Sequence, residues 1–264
     1  MQIRLDGRTA FVSGSTRGIG YATARLLAQS GATVVVNGRE EAAVAQAVAT
    51  LTAEVPEGAF RGVAADIASP TGAAAVAARE TAFDIVVCNA ATFDWTAFFD
   101  TEDADWQRHF DINVLSGVRL ARQYMQGMLE RNWGRIVLVA SEAGLNIPPD
   151  MIHYGVAKAA QIALARGLAE LTVGTGVTVN SVLPGPTASS NSEAFLDDYA
   201  ARNGLRREEA EGHLIRSIRP TSLIGRMATS EEVANMIVYA CSPQASATNG
   251  AALRVEGGLL RHPG

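Results

Sequence analysis

Short apolar runs alternate with amphipathic or Ala-rich stretches along nearly the whole chain. The runs occupy residues 9–13, 32–37, 60–65, 83–88, 135–140 and 177–182. Each has strand length and is mostly continuous rather than alternating, as parallel strands covered on both faces tend to be. Between them, 21–29, 41–53, 70–79, 106–131 and 153–172 have the periodicity or composition of helices, and another helix is expected near 230–239. Strands alternating with helices predict an α/β fold, a doubly wound parallel sheet with helices on both faces and ligands across the C-terminal strand ends. No repeat, low-complexity tract or linker divides the chain, so a single domain over 1–264 is expected.

The polar residues that break the pattern fall at the ends of the runs. Gly14-Ser15-Thr16-Arg17-Gly18-Ile19-Gly20 follows the first run and opens a helical segment. Small residues there let a backbone approach a pyrophosphate, and the helix start offers N–H donors and a positive dipole end. The spacing is Gly-x3-Gly-x-Gly rather than Gly-x-Gly-x-x-Gly. The second run ends in Asn37-Gly38-Arg39. A carboxylate at this place would grip the ribose 2′-hydroxyl of NAD. Arg39, joined by Arg17, suits a 2′-phosphate instead, so NADP is expected over NAD. Asp66-Ile67 closes the third run, where a carboxylate can accept from an adenine amino group. Asn89-Ala90-Ala91 closes the fourth and Pro184-Gly185-Pro186-Thr187 the sixth.

The fifth run ends at Ser141, and a Gly- and Pro-containing loop leads to Tyr154 and Lys158. Four residues apart, phenol and ammonium share one helix face. A nearby cation favours a phenolate, and a serine hydroxyl in the same pocket can hold a carbonyl oxygen against the phenol. The three together make a site for giving a proton to a carbonyl or taking one from an alcohol. Lys158 is the only lysine among 22 cationic residues.

Composition narrows the classes. A net charge of −5 and a hydrophobic content of 48% favour a globular protein with a sizeable core and argue against nucleic acid or an anionic membrane as the main partner. Cys88 and Cys241 are far apart, with neither CxxC nor His spacing, and are expected to be buried thiols of a reducing cytoplasm. The first residues are too polar for a signal peptide, and no apolar run reaches membrane-spanning length. His109 and His153 have no second ligand at metal spacing; both are expected to be structural, and no metal site is expected.

In order and rough position, Gly14-x3-Gly18-x-Gly20, Asn89-Ala90, Asn113, Ser141, Tyr154-x3-Lys158 and Pro184-Gly185 resemble the short-chain dehydrogenase/reductase superfamily. The likeness runs from residue 7 to about 258. Within the superfamily it is similar to 3-oxoacyl-carrier-protein reductases and sugar-acid dehydrogenases. The resemblance implies a Rossmann-like sheet of about seven strands. It also implies an oxidoreductase passing a hydride between NADP and a small-molecule carbonyl or secondary alcohol. Tyr154 would be the general acid/base, Lys158 its pKa-lowering partner on the nicotinamide ribose, and Ser141 the carbonyl-orienting group. Asn113 would hold a proton-relay water, and Thr187 would meet the carboxamide. Residues 187–226 would be a substrate lid. Its arginines either hold an anionic substrate or form the solvated face of two short helices, and the second is expected. Phe93, Trp95 and Phe98 would line the pocket or simply pack. A homotetramer is implied, a homodimer next. A nucleotide-binding regulator on the same fold is the alternative function. Ala91 stands where the family usually has Gly, and Asn249-Gly250 where Gly-Gln or similar is usual.

Overall fold

A computed structural model describes residues 2–188 and 192–262. Seven parallel strands form one sheet: β1 (Thr9–Val12), β2 (Thr33–Gly38), β3 (Ala59–Ala64), β4 (Ile85–Cys88), β5 (Gly134–Val139), β6 (Val177–Pro184) and β7 (Ala252–Val255). Their spatial order is β3-β2-β1-β4-β5-β6-β7. The helices that cover the sheet are α1 (Gly18–Gln29), α2 (Glu41–Glu54), α3 (Pro70–Arg79), α5 (Ser116–Glu130), α6 (Ile152–Ala169) and α9 (Ser230–Cys241). A short helix, α4 (Asp103–His109), precedes α5. This is the doubly wound, Rossmann-like architecture expected from the strand–helix alternation.

The strand pattern explains the two-sided core. Val12, Val34, Val36, Ile85, Val87 and Val137 face one layer with α1, α2 and α9. Phe11, Val35, Val86, Ile136 and Leu138 point the other way, onto α5 and α6. Successive residues alternate faces. A strand apolar on both faces therefore reads as an unbroken run, and β4, β5 and β6 are buried throughout. The chain order reverses between β1 and β4, which opens a crevice above their C-terminal ends.

Two elements differ from expectation. The amphipathic stretch over 106–131 is not one helix: α4 and α5 are joined by a π-helical turn, Phe110–Leu115, containing Asn113. The wider turn adds a residue without breaking the apolar stripe, so the periodicity conceals it. The helix expected over 153–172 is α6, with its last turn, Glu170–Thr172, tightened to 3-10 geometry.

The expected lid contains α7 (Ser192–Asn203) and α8 (Arg207–Ile218), and its residues 189–191 lie outside the described residues. The two helices bury Leu196, Ala200, Leu214 and Ile215 against each other in a small core of their own. Arg202, Arg206 and Arg207 form surface ion pairs within this hairpin, as a solvated face would. Arg219 does not. Among the described residues, no helix is long and apolar enough to cross a membrane.

Candidate active site

The turn after β1 is built for close approach. Gly14 and Gly18 have φ of +59°, a region costly for residues with a Cβ. A Cβ on Gly20 would lie 2.5 Å from the Asn89 amide nitrogen and 2.5 Å from the Gly14 carbonyl oxygen. A Cβ on Gly18 would instead meet nothing within 4 Å, so it is the positive φ that calls for glycine there. No side chain caps α1, so its first N–H groups are free for an anion.

Buried polar residues brace this turn from behind. Ser13 Oγ accepts from the backbone N–H groups of Asn89 (2.8 Å) and Ala90 (3.0 Å). The Asn89 amide donates to the Ser13 and Gly14 carbonyls, each at 3.0 Å. Asn37 donates to the Val63 and Ala65 carbonyls, and its Oδ1 accepts from the Gly14 N–H. Ser15 and Asn37 are almost fully buried, and the Ile67 side chain packs in the core. All three were expected to contact the cofactor. Their side chains face inward, so contact with a cofactor would fall to their backbone groups.

Arg17, Arg39, Asp66 and Ala91 are exposed around the crevice; Thr16, Gly38 and Ala90 are half-buried there. Neither Arg17 nor Arg39 has an ion-pair partner among the described residues. On the other side of the crevice, Pro184 ends β6, Gly185 donates its N–H to Val255, and Thr187 Oγ1 donates to the Gly185 carbonyl at 2.9 Å.

Ser141, Tyr154 and Lys158 come together because the loop after β5 lies hard against α6. A Cβ on Gly144 would sit 2.8 Å from the Ala159 nitrogen, and one on Gly155 would sit 2.9 Å from the Ala143 carbonyl oxygen. These two glycines allow the contact, and spacing alone does not reveal them. Ser141 Oγ accepts from the Ala143 N–H at 3.1 Å, which holds the serine at the start of the loop's first turn. Lys158 is buried, 5.6 Å from the Tyr154 ring centroid, and donates to the Val139 carbonyl at 2.9 Å. Burial pushes the Tyr154 phenol up to about 12, while the nearby Ser141 hydroxyl pulls it the other way. Burial pushes Lys158 down to about 7. Lys158 is not among the groups that shift the Tyr154 phenol. In both groups desolvation is the largest cause of the shift.

Asn113 sits in the crevice wall, fully buried. Its Oδ1 accepts from the Thr92 N–H at 3.0 Å and its amide donates to the Thr92 carbonyl at 3.1 Å. It clamps the loop after β4 by both backbone groups. Phe93, on that loop, places its ring 6.3 Å from Tyr154; Trp95 and Phe98 are exposed nearby in sequence.

Sequence reasoning missed two features. Glu142, next to Ser141, is buried and accepts from Arg219 Nε at 2.8 Å. That pair ties the serine loop to the end of α8. Desolvation raises the Glu142 pKa and Arg219 opposes the rise. The second concerns the two histidines expected to be isolated. His109 and His153 are neighbours in space, with ring centroids 4.2 Å apart, and Asp94 lies against both. Residues 94, 109 and 153 share no local spacing, so only the fold reveals the cluster.

Comparison with known proteins completes the picture. The family model described as enoyl-(acyl carrier protein) reductase matches residues 14–260. An uncharacterized oxidoreductase of Bacillus subtilis, YvaG, is 41% identical over 261 residues, covering 99% of each chain. Dehydrogenase/reductase SDR family member 4 of Bos taurus is 33% identical, covering 98% of this chain and 89% of that protein. The crystal structure of L-sorbose reductase from Gluconobacter frateurii, complexed with NADPH and L-sorbose, superposes with a TM-score of 0.92. It is 29% identical, covering 99% of this chain and 100% of that one.

Proposed function

Since the chain belongs to the short-chain dehydrogenase/reductase superfamily, we propose that it is an NADP-dependent oxidoreductase acting on a small carbonyl compound or secondary alcohol, with Tyr154 as general acid/base. The observation that carries this reading is the convergence of Ser141, Tyr154 and Lys158 beside the glycine turn, at the C-terminal edge of one sheet.

The residues present fit the cofactor. Gly14 and Gly18 take the positive φ of a tight turn, no side chain caps α1, and Arg17 and Arg39, by the end of β2, have no ion-pair partner among the described residues. The Gly turn would hold the pyrophosphate and the two arginines the 2′-phosphate. NADP, when bound, supplies or accepts the hydride. Tyr154 gives its proton to the carbonyl oxygen in reduction and recovers one in oxidation. Ser141 donates to the same oxygen and fixes its position. Lys158 faces the nicotinamide ribose and, when charged, favours the phenolate. Residues 187–226 act as the lid, and the Glu142–Arg219 pair anchors the lid's far end to the serine loop.

The test is turnover. Ketoses, 3-oxoacyl thioesters and simple ketones, with their alcohols, are assayed for absorbance change at the reduced-nicotinamide band with NADP and with NAD. A substrate is expected with NADP, and Tyr154→Phe should lower its kcat by about 10²–10⁴-fold. Near-normal turnover by Tyr154→Phe would exclude the mechanism. Tight NADP binding with no turnover of any pair would favour a regulatory role.

A further inference from the structure

Three ionisable side chains behind Tyr154 take no part in the chemistry just described. His109 ends α4, His153 lies in the first turn of α6, and Asp94 is on the loop after β4. Both imidazoles are buried, at 0% and 1% exposure, while Asp94 reaches solvent. His109 Nδ1 lies 2.9 Å from the Asp105 carbonyl oxygen, which can only accept. Nδ1 therefore carries the proton, and Nε2 of the neutral ring presents a lone pair. That lone pair faces Asp94 Oδ1 at 3.6 Å. His153 Nε2 faces Asp94 Oδ2 at 3.4 Å. Neither Nε2 has a hydrogen-bond partner, and His153 Nδ1 has none either.

Such an arrangement is unfavourable as it stands. Buried ring nitrogens without partners cost about 1–3 kcal/mol each. An acceptor lone pair pointed at a carboxylate adds repulsion. The separations are too long for good hydrogen bonds. They are close to the spacing between ligand atoms on a tetrahedral zinc ion, about 3.3 Å for bonds of about 2.0–2.1 Å. The three candidate ligand atoms all lie within 4.8 Å of one another. The Asp105 carbonyl on His109 is the outer partner that metal-bound imidazoles commonly have. Arg108 donates to Asp94 Oδ2 at 2.8 Å from the solvent side. It orients the carboxylate, although its charge opposes that of a bound cation.

We propose that Asp94, His109 and His153 form a site for a divalent transition cation of the zinc class, which joins the loop after β4 to α4 and α6 beside Tyr154. Two imidazoles and one carboxylate suit zinc or cobalt better than magnesium or calcium, which prefer all-oxygen ligands. Three protein ligands leave a fourth position, and the partly exposed Asp94 provides the route of entry. The ion would act as a staple. His153 adjoins Tyr154 in sequence, and Phe93 on the tethered loop packs near the Tyr154 ring.

The test is cation binding and does not depend on turnover, so it can fail or succeed separately from the reductase reading. Protein dialysed against a chelator is titrated with Zn²⁺ by calorimetry and with Co²⁺ by visible absorption. One equivalent should bind, with the d–d bands of a four-coordinate cobalt site, and Zn²⁺ should raise Tm. Asp94→Asn and His153→Gln should each weaken binding at least tenfold. His213→Gln, on the lid, should bind as wild type does. Asp94→Asn is on a partly exposed loop and keeps its volume, so an unchanged metal-free Tm will show that it folds. Less than one equivalent in wild type overturns the proposal. So does wild-type affinity in Asp94→Asn and His153→Gln, which would leave an adventitious ion only.

Discussion

Lys158 brings an ammonium into the protein with one carbonyl for company and, among the described residues, no carboxylate paired to it. Its pKa falls from 10.5 to about 7. The sign follows from proton counting. Between those values the unfolded chain holds a proton that the folded protein does not, so wild-type stability rises with pH across that window. Below about 7 the full cost of burying the charge is present. Lys158→Met removes that cost and leaves the Val139 carbonyl unpaired, which takes back about 1 kcal/mol. Metal- and cofactor-free Lys158→Met should be more stable than wild type at pH 6 by about 1–3 kcal/mol, with the advantage shrinking towards pH 10, as urea midpoints will show. Arg39 raises the opposite question, since it is exposed and has no ion-pair partner among the described residues. Arg39→Ala should weaken NADP binding about ten- to a hundredfold and leave NAD nearly unchanged, and titration with each cofactor decides it. Gly38→Asp, the obvious change towards NAD from sequence, is a poorer probe. Its Cβ would fall 2.7 Å from Thr16 Cγ2 and disturb the turn itself. The meeting of Ser141, Tyr154 and Lys158 was expected from a resemblance in their order along the chain, since their spacing alone also suits a solvated helix. That of Asp94, His109 and His153 was not, because each is ordinary alone and only the fold makes them neighbours.

Among the elements, those with a single job were easiest to read. Continuous apolar strands and α3, which opens with Ser69 as N-cap and Pro70, stand where the pattern puts them. The π-helical turn at Phe110–Leu115 was hidden, since one extra residue in a turn leaves the amphipathic stripe almost intact. The contact between the serine loop and α6 was hidden too, because a glycine that permits close packing reads the same as one in a turn. The turn has a consequence for the loop it faces. Asn113→Ala would remove both partners of the part-buried Thr92 backbone, each lost hydrogen bond costing about 0.5–1.5 kcal/mol. Amide exchange over residues 90–97 should then quicken well before the rest of the protein loosens, while β4 keeps its protection. Unchanged exchange in that loop would mean that Asn113 does not hold it.

At the scale of the whole molecule the alternation of strands and helices was enough to predict the sheet and the edge where the chemistry collects. It was not enough to define the surface. Trp106, Phe110 and Leu115 line a shallow apolar depression on α4 and the π-helical turn, and Leu171 and Val173 are exposed beyond the end of α6. Such patches are what an assembly covers. A homotetramer is expected, a dimer next, and light scattering at micromolar concentration should give a mass well above the 27.7 kDa of one chain. A monomer would refute it. The placement of α9 against α1 bears on something else, the order in which the chain can acquire its structure. Strands β1 to β3 are neighbours in both sequence and space, so they can pair as soon as they are synthesised. Yet one flank of α1 is closed by Val233 and Ile237, and Arg25 finds Glu231 at 2.8 Å, these three partners lying on a helix made more than two hundred residues later. Until then the earliest layer keeps an open apolar flank, and the free edge of β1 waits for β4. The newborn protein therefore passes most of its synthesis with its first-formed layer unsealed, in need of shielding from its neighbours until nearly the last helix is in place.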